Sequence, residues 1–299
     1  MAASTVEPSL YPFASHFLDL DGLKLHYVDE GQGQPILMLH GNPTWSFYFR
    51  NLVLALRDQY RVIVPDHMGC GLSDKPTAEQ YDFSLETRIN DLERLLDRLN
   101  IPEDITLVLH DWGGMIGMAY ASRHPERIRR FIVMNTAAFH LPKAKRFPWA
   151  LWLGRNTRLG AWLILQHNAF CRAAVRIGTK RRALLGAVRQ AYLAPYDSPE
   201  HRLAVLRFVQ TIPLHPADVG YEIVSEVERS LHQFSDRPML INWGMRDFVF
   251  DWHFLAEWER RFPEAEVVRF ADAGHYVLED ATEEMIENIK RFLFAHDDG

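Results

Sequence analysis

Cysteine is scarce in this chain. Cys70 and Cys171 are the only two in 299 residues, about a hundred positions apart. A chain with a large apolar complement needs no disulfide staple, which favours a reducing compartment over a small secreted scaffold. Long hydrophobic runs are missing too, since no stretch of ~18 uncharged apolar residues occurs. The most apolar segment, 149–165, is broken by Arg155 and Arg158. The N-terminal stretch M-A-A-S-T-V-E-P-S-L-Y-P-F has neither the basic start nor the apolar run of a secretory leader, so a cytoplasmic protein is expected. There is no excess of positive charge: the net charge is −6, which argues against nucleic acid as a partner. Metal-ligand spacings, a phosphate loop and a dinucleotide fingerprint are all lacking, so neither metal nor cofactor is expected.

What is present suits a globular enzyme, with 47% apolar and 24% charged residues. Two short alternating runs, 17–20 and 23–28, flank Asp21-Gly22 and predict a hairpin. Apolar strand-like runs then alternate with helical spacing. Strands are expected at 36–39, 62–64, 105–109, 131–134, 239–241 and 267–270. Helices are expected at 45–56, 85–99, 114–122, 253–261 and 283–294. Short apolar strands alternating with helices predict an α/β fold, a mostly parallel sheet covered on both faces. The alternation stops between about 137 and 231, a segment with helical stretches, no convincing strand, and 14 Lys and Arg against 6 Asp and Glu. It reads as a helical cap inserted into a core domain built from 1–136 and 232–299. A cap there would lie above the carboxyl ends of the strands, where ligands bind in such sheets.

The strongest chemical signal is L-V-L-H-D-W-G-G-M-I-G at 107–117. A β-type run enters a small-residue turn and then a helix, the setting of a nucleophile elbow, with Asp111 where hydrolytic enzymes usually carry serine. The swap changes the chemistry. A serine displacing a group from a saturated carbon leaves an ether that water cannot cleave, whereas a carboxylate leaves an ester that can be resolved. The helix N-terminus beside Asp111 is expected to favour its ionised form. A helix-capping Asp would account for Asp111 alone, but three further pieces accompany it. His275, in A-G-H-Y after the last strand, can act as a base toward water. Asp247, in W-G-M-R-D just beyond 239–241, can orient that imidazole; Asp251 is its rival, further from the strand end. The order nucleophile, acid, histidine is the one this type of fold uses. Finally, H-G-N-P at 40–43 follows a strand where an oxyanion donor is expected, so the Asn42 amide and the Trp112 indole N–H converge as donors.

These motifs, with P-D-H-M-G-C-G-L-S-D-K-P at 65–76, resemble those of the haloalkane dehalogenases of the α/β-hydrolase fold, over nearly the whole chain. The resemblance implies Asp111 as nucleophile, His275 as the base for hydrolytic water, and Asn42 with Trp112 as the halide-binding pair. One subfamily carries a Glu as third member after the strand that follows the elbow helix. Asn135 stands about there, which leaves Asp247 and the late-Asp subfamilies. Residues 243–251 and Y-L-A-P-Y-D-S at 192–198 look similar to a neighbouring branch, the β-lactone decarboxylases of bacterial olefin synthesis, which share the same site residues.

The expected function is thus haloalkane hydrolysis through a covalent alkyl-enzyme ester, with β-lactone decarboxylation to an alkene and CO2 as the alternative. The expected partners are a small apolar substrate, water and halide; the basic cap could dock an acidic partner or a membrane surface. Epoxide hydrolysis would require a phenol to protonate the opening oxygen, for which Tyr192, Tyr196 and Tyr221 are available. A hydrolase fold used only for binding is the alternative of another class, against which a complete nucleophile, acid and base argue. Phe139, Phe147, Trp149, Trp152, Leu153, Phe170, Phe208 and Ile212 are candidates for an apolar pocket wall, about a third of them expected to serve.

Overall fold

The computed structural model describes residues 6–297. Residues 1–5, part of the stretch read above for a leader, and 298–299 lie outside the described residues. The strands are β1 (His16–Leu20), β2 (Leu23–Glu30), β3 (Pro35–Leu39), β4 (Arg61–Pro65), β5 (Ile105–Asp111), β6 (Ile128–Thr136), β7 (Met239–Gly244) and β8 (Glu266–Phe270). They form one sheet in the order β1-β2-β4-β3-β5-β6-β7-β8. The β1–β2 and β2–β4 pairings are antiparallel and the rest parallel. Asp21 and Gly22 both take positive φ (56° and 92°), the combination a two-residue hairpin needs.

Outside the sheet lie α1 (Arg50–Leu56), α2 (Leu85–Arg98), α3 (Trp112–Arg123), α10 (Trp252–Arg261), α11 (Val277–Asp280) and α12 (Thr282–Ala295). Helix α2 begins as its sequence predicts: Ser84 Oγ accepts the Thr87 N–H at 3.1 Å, a side-chain N-cap. Every residue of β5 is buried, so this central strand has no solvent face to mark with polar residues, and its apolar run is continuous rather than alternating.

Between β6 and β7 run α4 (Trp149–Asn156), α5 (Arg158–His167), α6 (Ala169–Ile177), α7 (Gly186–Leu193), α8 (Leu203–Gln210) and α9 (Tyr221–Ser230), with no strand among them. Helices α4, α5, α6 and α8 pack on one another around a small core of their own that includes Ile164, Cys171, Tyr196 and Val205. Helix α9 differs. It packs on α3, and its Val224 and Val227 belong to the main core beside the sheet. Both cysteines are buried and free. No helix among the described residues is long and apolar enough to cross a membrane.

Candidate active site

Five loops at the carboxyl ends of β3, β5, β6, β7 and β8 meet above the sheet, as parallel α/β packing dictates. At the centre, β5 turns into α3 through Asp111, whose backbone (φ 51°, ψ −124°) is strained for a residue with a side chain. The turn is this tight because its neighbours are glycines. A Cβ on Gly113 would overlap the Leu39 carbonyl, and one on Gly41 would overlap the Asp111 carboxylate. The strained turn lifts the carboxylate toward the loop after β3. There Oδ1 accepts the Asn42 backbone N–H at 2.6 Å, and the neighbouring Trp112 backbone N–H also favours the charged carboxylate.

His275 brings the other two elements together. Its Nδ1 lies 2.7 Å from Asp247 Oδ2, and its Nε2 lies 3.6 Å from Asp111 Oδ2. Asp251 is elsewhere: it caps α10 through the His253 N–H and pairs with Lys145 at 2.6 Å. Asn135, noted in the sequence only as the place of a missing Glu, holds the acid. Its Nδ2 donates to Asp247 Oδ2 at 3.1 Å and to the Gly244 carbonyl at 3.0 Å, while its Oδ1 accepts the Gly244 N–H. Nothing in the local sequence pattern reveals this contact, because residues 135 and 247 meet only across the β6–β7 pairing.

Charge follows from burial and neighbours. Burial pulls the His275 imidazole down, but the charge and hydrogen bond of Asp247, with Asp111 beyond, outweigh it and leave the pKa raised. The nearby histidines have no such partner. His40 is lowered to about 4, and His67 and His110 fall well below their ordinary value, chiefly through burial. These three are framework. His40 Nε2 accepts the His67 N–H at 3.0 Å, joining the loops after β3 and β4, and His110 Nε2 donates to the His275 carbonyl at 2.9 Å. At Asp111 the helix end does favour the ionised form, as expected from the sequence, but burial outweighs it. Burial raises its pKa, and His275 with the Asn42 and Trp112 N–H groups only partly offsets that.

The two expected side-chain donors stand in different states. Asn42 spends one amide hydrogen on the Val205 carbonyl of α8 at 3.1 Å, which ties the helical insertion to the site. The Trp112 indole N–H has no acceptor among the described residues. Its ring is half-buried and lies 5.3 Å from Phe208. Both residues face a cavity floored by Asp111 and His275 and walled almost entirely by apolar side chains. Phe139, Phe147, Phe170 and Ile212 contribute to the wall; Trp149, Trp152, Leu153 and Phe208 do not. Trp149 and Trp152 point to solvent, 77% and 53% exposed. Phe208 is buried beneath Trp112, with the Arg88 guanidinium over the Phe208 ring, 3.6 Å from its centre.

None of the three tyrosines that an epoxide would need lines the cavity. The Tyr192 hydroxyl donates to Glu279, that of Tyr196 to the Thr44 carbonyl, and Tyr221 stacks on His140 at 4.0 Å. The sequence also missed Asp280. It accepts the backbone N–H groups of Gly274, Lys180 and Arg181, anchoring the loop of His275 to the insertion. Among the described residues no cluster of His, Cys, Asp or Glu could hold a metal ion.

The chain matches the model of the alpha/beta hydrolase fold family over residues 34–282. It is 56% identical over 285 residues to the cis-3-alkyl-4-alkyloxetan-2-one decarboxylase of Shewanella oneidensis, covering 95% of this chain and 90% of that one. It is 32% identical over 281 residues to haloalkane dehalogenase 2 of Mycobacterium tuberculosis, covering 93% and 94%. Among solved structures, a haloalkane dehalogenase of Agrobacterium tumefaciens C58 superposes with a TM-score of 0.86 at 23% identity, over 97% of this chain and 100% of that one. The chain therefore belongs to the α/β-hydrolase family, in the group that joins the haloalkane dehalogenases to the cis-3-alkyl-4-alkyloxetan-2-one decarboxylases.

Proposed function

We propose that this protein decarboxylates β-lactones carrying alkyl chains on the two neighbouring ring carbons, releasing an alkene and CO2. The observation that carries this reading is the 56% identity to a decarboxylase of that substrate class, against 32% to a dehalogenase. That difference moves the balance from carbon–halide cleavage, which the active-site motifs favoured slightly, to the lactone.

The site chemistry supports the same reading. Asp111 Oδ2 attacks the saturated ring carbon bearing the ring oxygen, and the C–O electron pair leaves on a carboxylate. A departing carboxylate takes hydrogen bonds and needs no proton, which suits the Trp112 indole and Asn42 amide as donors. It also suits a cavity that no tyrosine lines. The resulting ester holds Asp111 on the face opposite to the departed oxygen, anti to the new carboxylate. Loss of CO2 then forms the double bond from the C–C electron pair while the ester C–O pair returns to Asp111. No water enters and no proton moves, and a cis lactone yields a cis alkene. His275, held by Asp247 and Asn135, serves here as a positive neighbour for the two carboxylates that form. With a haloalkane the ester has no such exit, and His275 must activate water. Helices α4–α8 of the segment 137–231 act as the cap that closes the apolar cavity over these groups, while α9 packs back on the core domain.

The experiment that tests this is parallel turnover of a cis-dialkyl β-lactone and a 1-bromoalkane of matched chain length, with alkene and bromide measured. Alkene formation is expected to exceed bromide release by orders of magnitude. The reverse ranking would return the protein to dehalogenation.

A further inference from the structure

Between Glu126 and Asp197 the chain carries no Asp or Glu at all, although the whole protein is acidic. This stretch contains α4, α5 and α6, which pack side by side. Their outer faces expose large apolar side chains: Trp149 (77%) and Trp152 on α4, Leu159 and Trp162 on α5. Each pair is spaced i,i+3, so its members share one helix face. The cations around them, among them Lys143, Arg146, Arg158, Arg172 and Arg176, are exposed and have no carboxylate partner among the described residues. Elsewhere on the protein, surface cations are commonly paired, as in Arg94–Asp21, Arg123–Glu86 and Arg291–Glu266. The cavity opens in the same region, for Phe147, Pro148 and Ala150 beside Trp149, and Ala173 and Ile177 on α6, belong to its wall.

We propose that this face docks on an anionic lipid bilayer, with Trp149, Trp152 and Trp162 in the headgroup layer. Tryptophan is suited to that layer because its ring is apolar and its N–H stays hydrated. Unpaired cations are attracted by the negative surface potential of anionic lipids. A protein partner would match the charge equally well, but the position of the cavity mouth favours lipid. An apolar substrate dissolved in the bilayer would reach Asp111 without crossing water. The docking holds whichever apolar substrate the site takes.

The test is co-flotation of the full chain with vesicles of neutral phosphatidylcholine, with or without about 30 mol% of an anionic phospholipid. Two independent variants are compared, Trp149→Ala with Trp152→Ala, and Arg172→Glu with Arg176→Glu. The wild type is expected to float with anionic vesicles and to be released at about 0.5 M salt, where screening is short-ranged. Each double variant is expected to bind roughly tenfold or more weakly, with unchanged turnover of a short-chain, water-soluble substrate. Failure of the wild type to bind anionic vesicles at low salt, or binding by both variants equal to that of the wild type, overturns the proposal, as does wild-type binding to neutral vesicles equal to that on anionic ones.

Discussion

Asp111 Oδ1 is engaged by the Asn42 backbone N–H at 2.6 Å, whereas Oδ2 lies open toward the cavity, 3.6 Å from His275 Nε2. One oxygen is held and the other is free to attack. Asp111→Asn keeps the held acceptor and removes the nucleophile. It is expected to abolish both alkene and bromide production in a protein that still folds. Retention of more than a few per cent of the wild-type rate by purified variant would remove Asp111 from the reaction.

His275→Phe separates the two chemistries. With a 1-bromoalkane the variant forms the ester but cannot hydrolyse it, so intact-mass spectrometry should show an adduct of the alkyl mass. With a β-lactone no stable adduct should build up, because the ester fragments without water. A trapped lactone adduct in His275→Phe would show that His275 acts on that intermediate as well.

The hydrogen bonds that Asp247 accepts from Asn135 and from His275 give a ranking. For bromoalkane hydrolysis, where His275 must act as a base, Asp247→Asn leaves the imidazole orientation and tautomer uncontrolled, a loss that reaches about 10⁴-fold in an analogous triad. Asp251→Asn should leave turnover nearly unchanged, because that residue caps α10 and pairs with Lys145. Steady-state rates of the two purified variants decide it, and the opposite ranking would move the acid role to Asp251.

Trp112→Phe keeps the ring and deletes the indole N–H. Removing one donor that faces developing negative charge should slow both substrates by roughly 10²–10³-fold. An unchanged rate would mean the leaving group is stabilised elsewhere, by the remaining Asn42 hydrogen or by backbone N–H groups.

Burial raises Asp111, and the attacking form is the anion. As pH falls through that raised value Asp111 is protonated and turnover is lost, so the acid limb of kcat/KM should lie above the ordinary carboxylate range. His275 is raised too, once Asp247 outweighs its burial. A base must be neutral, so bromoalkane hydrolysis should need a higher pH than alkene formation. Stability runs the other way. A raised carboxyl contributes stability that is fully present below its unfolded value and lost as pH rises through its folded value. Asp111→Asn should therefore melt a few degrees higher than wild type at neutral pH, with the gap closing in acid. A calorimetric pH series checks this.

Sequence alone determined the parts that depend on local order along the chain. The elbow at Asp111 was legible because a buried strand must be a continuous apolar run and a tight strand-to-helix turn needs small residues beside it. The strand–helix alternation was legible for the same reason, with β5 running two residues further than its apolar run, into Asp111 itself. The absence of any strand between β6 and β7 was visible in composition. What tertiary structure decided were contacts between residues far apart in sequence. Asp247 and Asp251 are both plausible acids in a string of letters; only packing of the β7 loop against Asn135 and His275 puts one at 2.7 Å and turns the other into a helix cap. Likewise Trp149 and Phe147 are equally apolar, yet the turn of α4 sends Trp149 to solvent and leaves Phe147 on the cavity wall. Side-chain type is written in the sequence, but the direction a side chain takes depends on what the rest of the chain packs against it.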